Sequence, residues 1–111
     1  MDKTDLQKKH CVPCEGTEEP FNTGKINAYM PALSLEWAVV DGKKISHQFK
    51  FKNFSEAIAF IDKIVPIAEG EGHHPDLHIY YNKVLVELWT HAIGGLSEND
   101  FIMALKIEGL V

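Results

Sequence analysis

Residues 44–52 alternate without a break. Ile45, His47, Phe49 and Phe51 fall on one side, and Lys44, Ser46, Gln48, Lys50 and Lys52 on the other. A period of two describes a strand with one dry face and one wet face, and the dry face needs a cover. Asp41-Gly42, just before it, is a strong hairpin dipeptide because Gly accepts positive φ. The apolar run at residues 35–40 supplies the partner strand. A second hairpin is read over residues 78–81 and 84–90, with Asn82-Lys83 as a two-residue turn.

The cover comes from helices. Residues 24–33 suit a short helix ending near Pro31. Asn53 can cap a second helix starting at Phe54, with Glu56 in the capping-box position. Phe54, Ile58, Ile61, Val65 and Ala68 give that helix one apolar face. Pro66 should kink it or end a turn, and Gly70 and Gly72 should terminate it. Ser97 caps a last helix that runs on through Ile107. Asp100 faces its bare amides, and Leu96 and Phe101 are spaced as a hydrophobic staple. The order α-β-β-α-β-β-α predicts an α+β fold: a two-layer domain, with a four-stranded antiparallel sheet and helices packed on one face. We assign it to residues 24–111. Residues 1–23 are polar, carry Pro13, Gly16 and Pro20, and read as an N-terminal arm of low order.

Composition narrows the function. Sixteen acids against eleven bases, a formal net charge of -5 over 111 residues, speak against nucleic acid as a partner, because backbone binding needs clustered cations. No apolar run approaches the roughly 20 residues of a membrane span. The charged N-terminus lacks the apolar segment of a secretory signal. A cytoplasmic protein is expected. Cys11 and Cys14, with His10 nearby, read as reduced thiols, since a closed zinc site needs four ligands and no second pair exists.

Six His are many for this length. Carrying the register of the second hairpin to its open end sets His74 opposite His91, with His73 beside them and Glu69 one turn earlier. Imidazoles titrate near neutrality, so one ring can accept a proton while another donates one, as elimination of water requires. A three-imidazole metal site is the main competitor. It is disfavoured because adjacent His73 and His74 point opposite ways on an extended segment. Taken alone, His47 and His78 are ordinary strand histidines, Asp100 is equally well a helix-terminus acid, and Trp37 and Trp89 suit a core or an interface.

Glu69, His73-His74-Pro75, Tyr81, His91 and Asp100, at these spacings, resemble the signature of the pterin-4a-carbinolamine dehydratase family. The stretch at residues 45–54 and Gly95-Leu96-Ser97-Glu98-Asn99-Asp100 are similar to the family's flanks, so the resemblance runs from Trp37 to the C-terminus. It implies a lyase that eliminates water from 4a-hydroxytetrahydropterin to give quinonoid dihydropterin, with no metal and no cofactor. In that reading His74 and His91 exchange protons with the ring nitrogen and the departing hydroxyl, and His73 holds substrate and assists. Glu69 and Asp100 orient the histidines, while Pro75 and Trp37 belong to the substrate-binding surroundings. The resemblance further implies a homodimer or homotetramer, contacting through a sheet edge and the Phe101, Ala104 and Leu105 face of the last helix. An aromatic amino-acid hydroxylase would share the pathway. Many animal members carry an acid where this chain has Gly72, and the Cys-bearing arm looks like a bacterial extension. The alternative is a non-catalytic module of the same fold, one that binds pterin or stabilises another protein's dimer.

Overall fold

In the computed structural model, which describes residues 3–13 and 16–111, two hairpins form one antiparallel sheet. β1 (Ala38–Val40) and β2 (Lys44–Lys50) make the first, β3 (Asp76–Tyr80) and β4 (Lys83–Leu88) the second. The strand order is β1-β2-β4-β3, so the hairpins join through β2 and β4. The expected alternation holds: Ile45 and Phe49 on β2, with Val84, Val86 and Leu88 on β4, are buried. Asp41 and Gly42 take φ of 54° and 66°, the left-handed turn that this dipeptide favours.

The second hairpin turns earlier than the sequence suggests. Its pairs are Tyr80 with Lys83 and Ile79 with Val84, so Tyr81-Asn82 forms the turn and Tyr81 takes φ 53°. Asn82 explains the shift. Its side chain donates to the Phe51 carbonyl at 2.9 Å and its own carbonyl accepts from the Phe51 amide at 2.8 Å, which ties the turn to the end of β2. The slip is two residues, so each side chain keeps its face. Continued past the last pair, Asp76 with Glu87, this register sets Trp89 rather than His91 opposite His74.

α2 (Thr23–Tyr29) is capped by Asn22 and followed by a 3-10 turn, Met30–Ala32. α3 (Phe54–Glu71) is capped by Asn53, whose side chain accepts the Glu56 amide at 2.9 Å. It buries Ala57, Phe60, Ile64 and Ala68. Thus the core face is rotated from the expected one, and Phe54 and Val65 remain half exposed at 50% each. The helix passes through Pro66, which sits on the solvent side with Asp62, where water can serve the carbonyl left without a donor. It includes Gly70 and stops at Gly72, whose φ of 64° closes the left-handed cap.

α4 (Glu98–Glu108) is sheathed on nearly every side. Phe101, Ala104 and Leu105, expected as a contact face between copies, are consumed in the monomer's own core. Part of the sheath comes from the stretch read as a loose arm. There, α1 (Lys3–Lys8) inserts a fully buried Leu6 into the core. One apolar residue in a polar run gives little periodic signal, and its burial depends on a surface contributed by the far end of the chain. Among the described residues no helix is long and apolar enough to cross a membrane.

Candidate active site

The open end of the second hairpin, the C-terminus of α3 and the start of α4 surround a hollow of about 650 Å³. The αL cap at Gly72 turns the chain out of α3 and sends His73 and His74 along its rim. Pro75 then disfavours the helical region for His74 and leads into β3 at Asp76. His91 arrives from the other strand, where β4 gives way to a 3-10 turn (His91–Ile93) closed by Gly94 at φ 65°. All three histidines, with Glu69 and Pro75, line the one hollow.

Two of the three imidazoles are hydrogen-bonded to a carboxylate, and the third has one nearby. His73 donates through Nε2 to Asp100 Oδ1 at 2.7 Å, and this pair is largely shut off from solvent. The other Asp100 oxygen accepts from Thr90 Oγ1 at 2.9 Å and from the Ser97 amide at 3.0 Å, so one buried carboxylate both caps α4 and aims His73. His74 Nε2 lies 3.2 Å from Glu69 Oε2, with both side chains open to water. His91 Nε2 is 4.0 Å from Asp76 Oδ2.

His91 is also stacked. Its ring lies 3.9 Å from the Trp89 ring at 28°, and Trp89 Nε1 donates to Asp76 Oδ2 at 2.9 Å. The Lys44 ammonium sits 5.4 Å from the same indole. Trp89, Asp76 and Thr90 line the hollow and were missed in the sequence, although the true register of the second hairpin would have pointed to Trp89. Trp37 lies apart. It is buried, donates through Nε1 to Glu108 Oε2 at 2.9 Å, and packs against His47 and Phe49. His47 bonds the Glu36 carbonyl and His78 bonds Glu87, both away from the hollow.

A fourth wall comes from the N-terminal segment: Cys11, Val12 and Pro13 also line the hollow. The Cys11 amide donates to Glu71 Oε1 at 2.7 Å, and His10 Nδ1 bonds Glu71 Oε2 at 2.8 Å. Burial, and then the Glu71 charge, push the Cys11 thiol up to about 12, so it stays protonated at neutral pH. Burial alone would raise Glu71, but His10, the Cys11 amide and Lys106 outweigh it and hold that carboxyl below its ordinary value. Cys14 lies outside the described residues. Among the described residues no three His, Cys, Asp or Glu side chains are grouped to hold a metal ion.

Carboxylate-backed imidazoles around a single hollow can move protons to and from a bound molecule. Residues 19–110 match the family described as pterin 4 alpha carbinolamine dehydratase. The chain belongs to that family. A pterin-4-alpha-carbinolamine dehydratase of Chlorobaculum tepidum, so named provisionally, is 46% identical over 97% of this chain and 99% of its own. A Legionella pneumophila protein with the same provisional name is 45% identical over 97% of this chain and 96% of its own. The crystal structure of a transcriptional coactivator/pterin dehydratase from Brucella melitensis superposes with a TM-score of 0.76 at 36% identity, covering 83% of this chain and 98% of that one. A pterin dehydratase-like RuBisCO assembly factor of the alpha-carboxysome shares the fold, at a TM-score of 0.59 and 19% identity over 69% of this chain and 90% of its own. Gly72, just before the histidine pair, holds a left-handed φ of 64° that favours glycine.

Proposed function

We propose that this chain eliminates water from 4a-hydroxytetrahydropterin by histidine acid/base catalysis. One ring, His74 or His91, takes the proton from the N5 nitrogen while the other protonates the 4a-hydroxyl. The C4a–O bond breaks, the N5–C4a double bond forms, and quinonoid dihydropterin and water leave. His73, aimed by Asp100, holds the substrate. Glu69 and Asp76 orient His74 and His91, and Pro75 sets the backbone between His74 and β3. Trp37 enters this reading only as packing behind the first hairpin. One observation carries the proposal: three imidazoles from two separate stretches line one hollow, two of them hydrogen-bonded to carboxylates and the third 4.0 Å from one. Stopped-flow dehydration of enzymatically generated 4a-hydroxytetrahydropterin tests it. His74→Ala and His91→Ala should each lower kcat by roughly 10²–10⁴-fold while the folded spectrum is kept. A wild-type protein that never exceeds the spontaneous rate would end the proposal.

A second reading has its own support. β3 is an edge strand, and Ile79, Tyr80 and Tyr81 at its end are exposed, as are Phe54 and Val65 on α3. An open edge beside apolar side chains is a template for pairing with another chain. We take the partner to be a second copy, giving a homodimer or a dimer of dimers. A binding role for another protein, as in the names of the Brucella and carboxysome relatives, is the alternative use of that face. Sedimentation at micromolar concentration separates a self-associated protein from a monomer awaiting a partner.

A further inference from the structure

The segment at residues 10–13 is held by two pins, and both are rooted beside the histidine site. Asn99 clasps Val12 at both ends of its amide: the Val12 amide donates to Asn99 Oδ1 at 3.0 Å, and Asn99 Nδ2 donates to the Val12 carbonyl at 2.8 Å. The Cys11 thiol adds a contact of 3.6 Å to the Asn99 carbonyl. Glu71 takes the Cys11 amide and the His10 ring on its two oxygens. Asn99 precedes Asp100, which aims His73, and Glu71 ends α3 just before the cap that releases His73 and His74.

These pins are buried. Asn99 is 6% exposed, and Val12 supplies the partners of both its amide atoms. The segment thus covers Asn99 and satisfies its amide at the same time, next to Asp100. Val12 itself is the opposite case: it is 67% exposed, and it lines the histidine hollow as well as a smaller one beside Phe21 and Ile93. A backbone fixed by buried bonds, with an exposed apolar residue at the edge of a cavity, has the design of a binding wall.

We propose that residues 10–13 are a fixed wall of the ligand pocket, acting as a positioning element that governs substrate affinity and leaves the proton transfers to the histidines. The inference rests on the pterin reading above. It gives the His10 and Cys11 motif a role in substrate fit, through its backbone bonds and Val12, with no chemistry assigned to the thiol.

Two measurements test it. In a Cys14→Ser background, Cys11 is the only thiol. A saturating, non-reactive dihydropterin, with binding followed by tryptophan fluorescence, should slow Cys11 alkylation at least about tenfold by covering the wall. Kinetically, Val12→Glu should raise KM by roughly tenfold, with kcat within about twofold of wild type. Val12 is exposed, so this variant should fold, and its unfolding midpoint checks that. If the dihydropterin binds and Cys11 alkylates at the unliganded rate, or if Val12→Glu keeps the wild-type KM, the wall is refuted and the pterin reading stands. If wild type neither binds nor converts a pterin, both readings fall.

Discussion

Asp100 and His73 are joined by a 2.7 Å bond between a fully buried carboxylate and the first ring of the histidine pair. The same carboxylate caps α4 through the Ser97 amide and accepts from Thr90. The helix terminus and the site are therefore one structure. Asparagine has a single acceptor oxygen and a donor in place of the second. Asp100→Asn would set its amide N–H against one of three donors, or force His73 into the tautomer that accepts at Nε2. We expect a stability loss of about 1–3 kcal/mol by urea unfolding. A misdirected His73 should cost up to about a hundredfold in kcat. A variant that unfolds at the wild-type midpoint would show that Asp100 is not bonded as described.

Trp89 forms the second support. Its ring stacks on His91 and its N–H is fixed by Asp76. Aromatic pairing of this kind is worth about 0.5–1.5 kcal/mol, so Trp89→Leu should lower kcat/KM by up to roughly tenfold. Trp89→Phe keeps a ring against His91 and loses only the bond to Asp76, so its loss should be smaller. Steady-state kinetics on both variants, read with the His91 ring shifts by NMR, check the order. Equal effects would assign the role to the hydrogen bond rather than to the stack.

Much of this was legible because it was local. The alternation at residues 44–52, the Asp41-Gly42 turn, the Asn53 cap and the pairing of Ser97 with Asp100 each depend on a few neighbouring residues, and all of them form. The rest depended on distant surfaces. On α3, apolar residues fill two overlapping stripes, and contact with the sheet selects Ala57, Phe60 and Ile64 over Phe54, Ile58 and Val65. Leu6 could not be read as core without the outer side of α4. The site was legible in part: His73, His74 and His91 do share one hollow, but Asp76 and Trp89 depend on a register that the turn sequence obscured.

That register leaves a testable mark. Tyr81 is 68% exposed and holds φ 53°, a backbone state that costs a non-glycine residue about 1 kcal/mol. Its side chain has little packing to lose. Tyr81→Gly should therefore raise stability by about 0.5–1 kcal/mol, measured as a higher urea midpoint at unchanged m-value. If the turn were at Asn82-Lys83, residue 81 would be an ordinary strand position and glycine there would destabilise the hairpin.

Acid should loosen the molecule from its N-terminal side. Glu71 and Glu98 both titrate below the ordinary 4.5 in the folded chain. In each case burial opposes the shift. It is outweighed at Glu71 by His10, the Cys11 amide and Lys106, and at Glu98 by the Tyr29 hydroxyl at 2.6 Å and Lys9 at 3.0 Å. The unfolded chain then binds more protons than the folded one as these groups titrate, so stability rises with pH through that range. Their contribution is complete above 4.5 and is lost as pH falls through the lower folded values. Wild type should lose stability on acidification from about pH 5 to pH 3, and Glu71→Gln with Glu98→Gln should be less stable at neutrality and flatter across that window. Because Glu71 also pins residues 10–11, Cys11 should become more reactive as the wild type is acidified, once the falling thiolate fraction is corrected for. Urea unfolding against pH, with alkylation mapped by mass spectrometry, reads both effects. A double variant that tracks wild type through the whole range would refute the assignment of these two carboxylates.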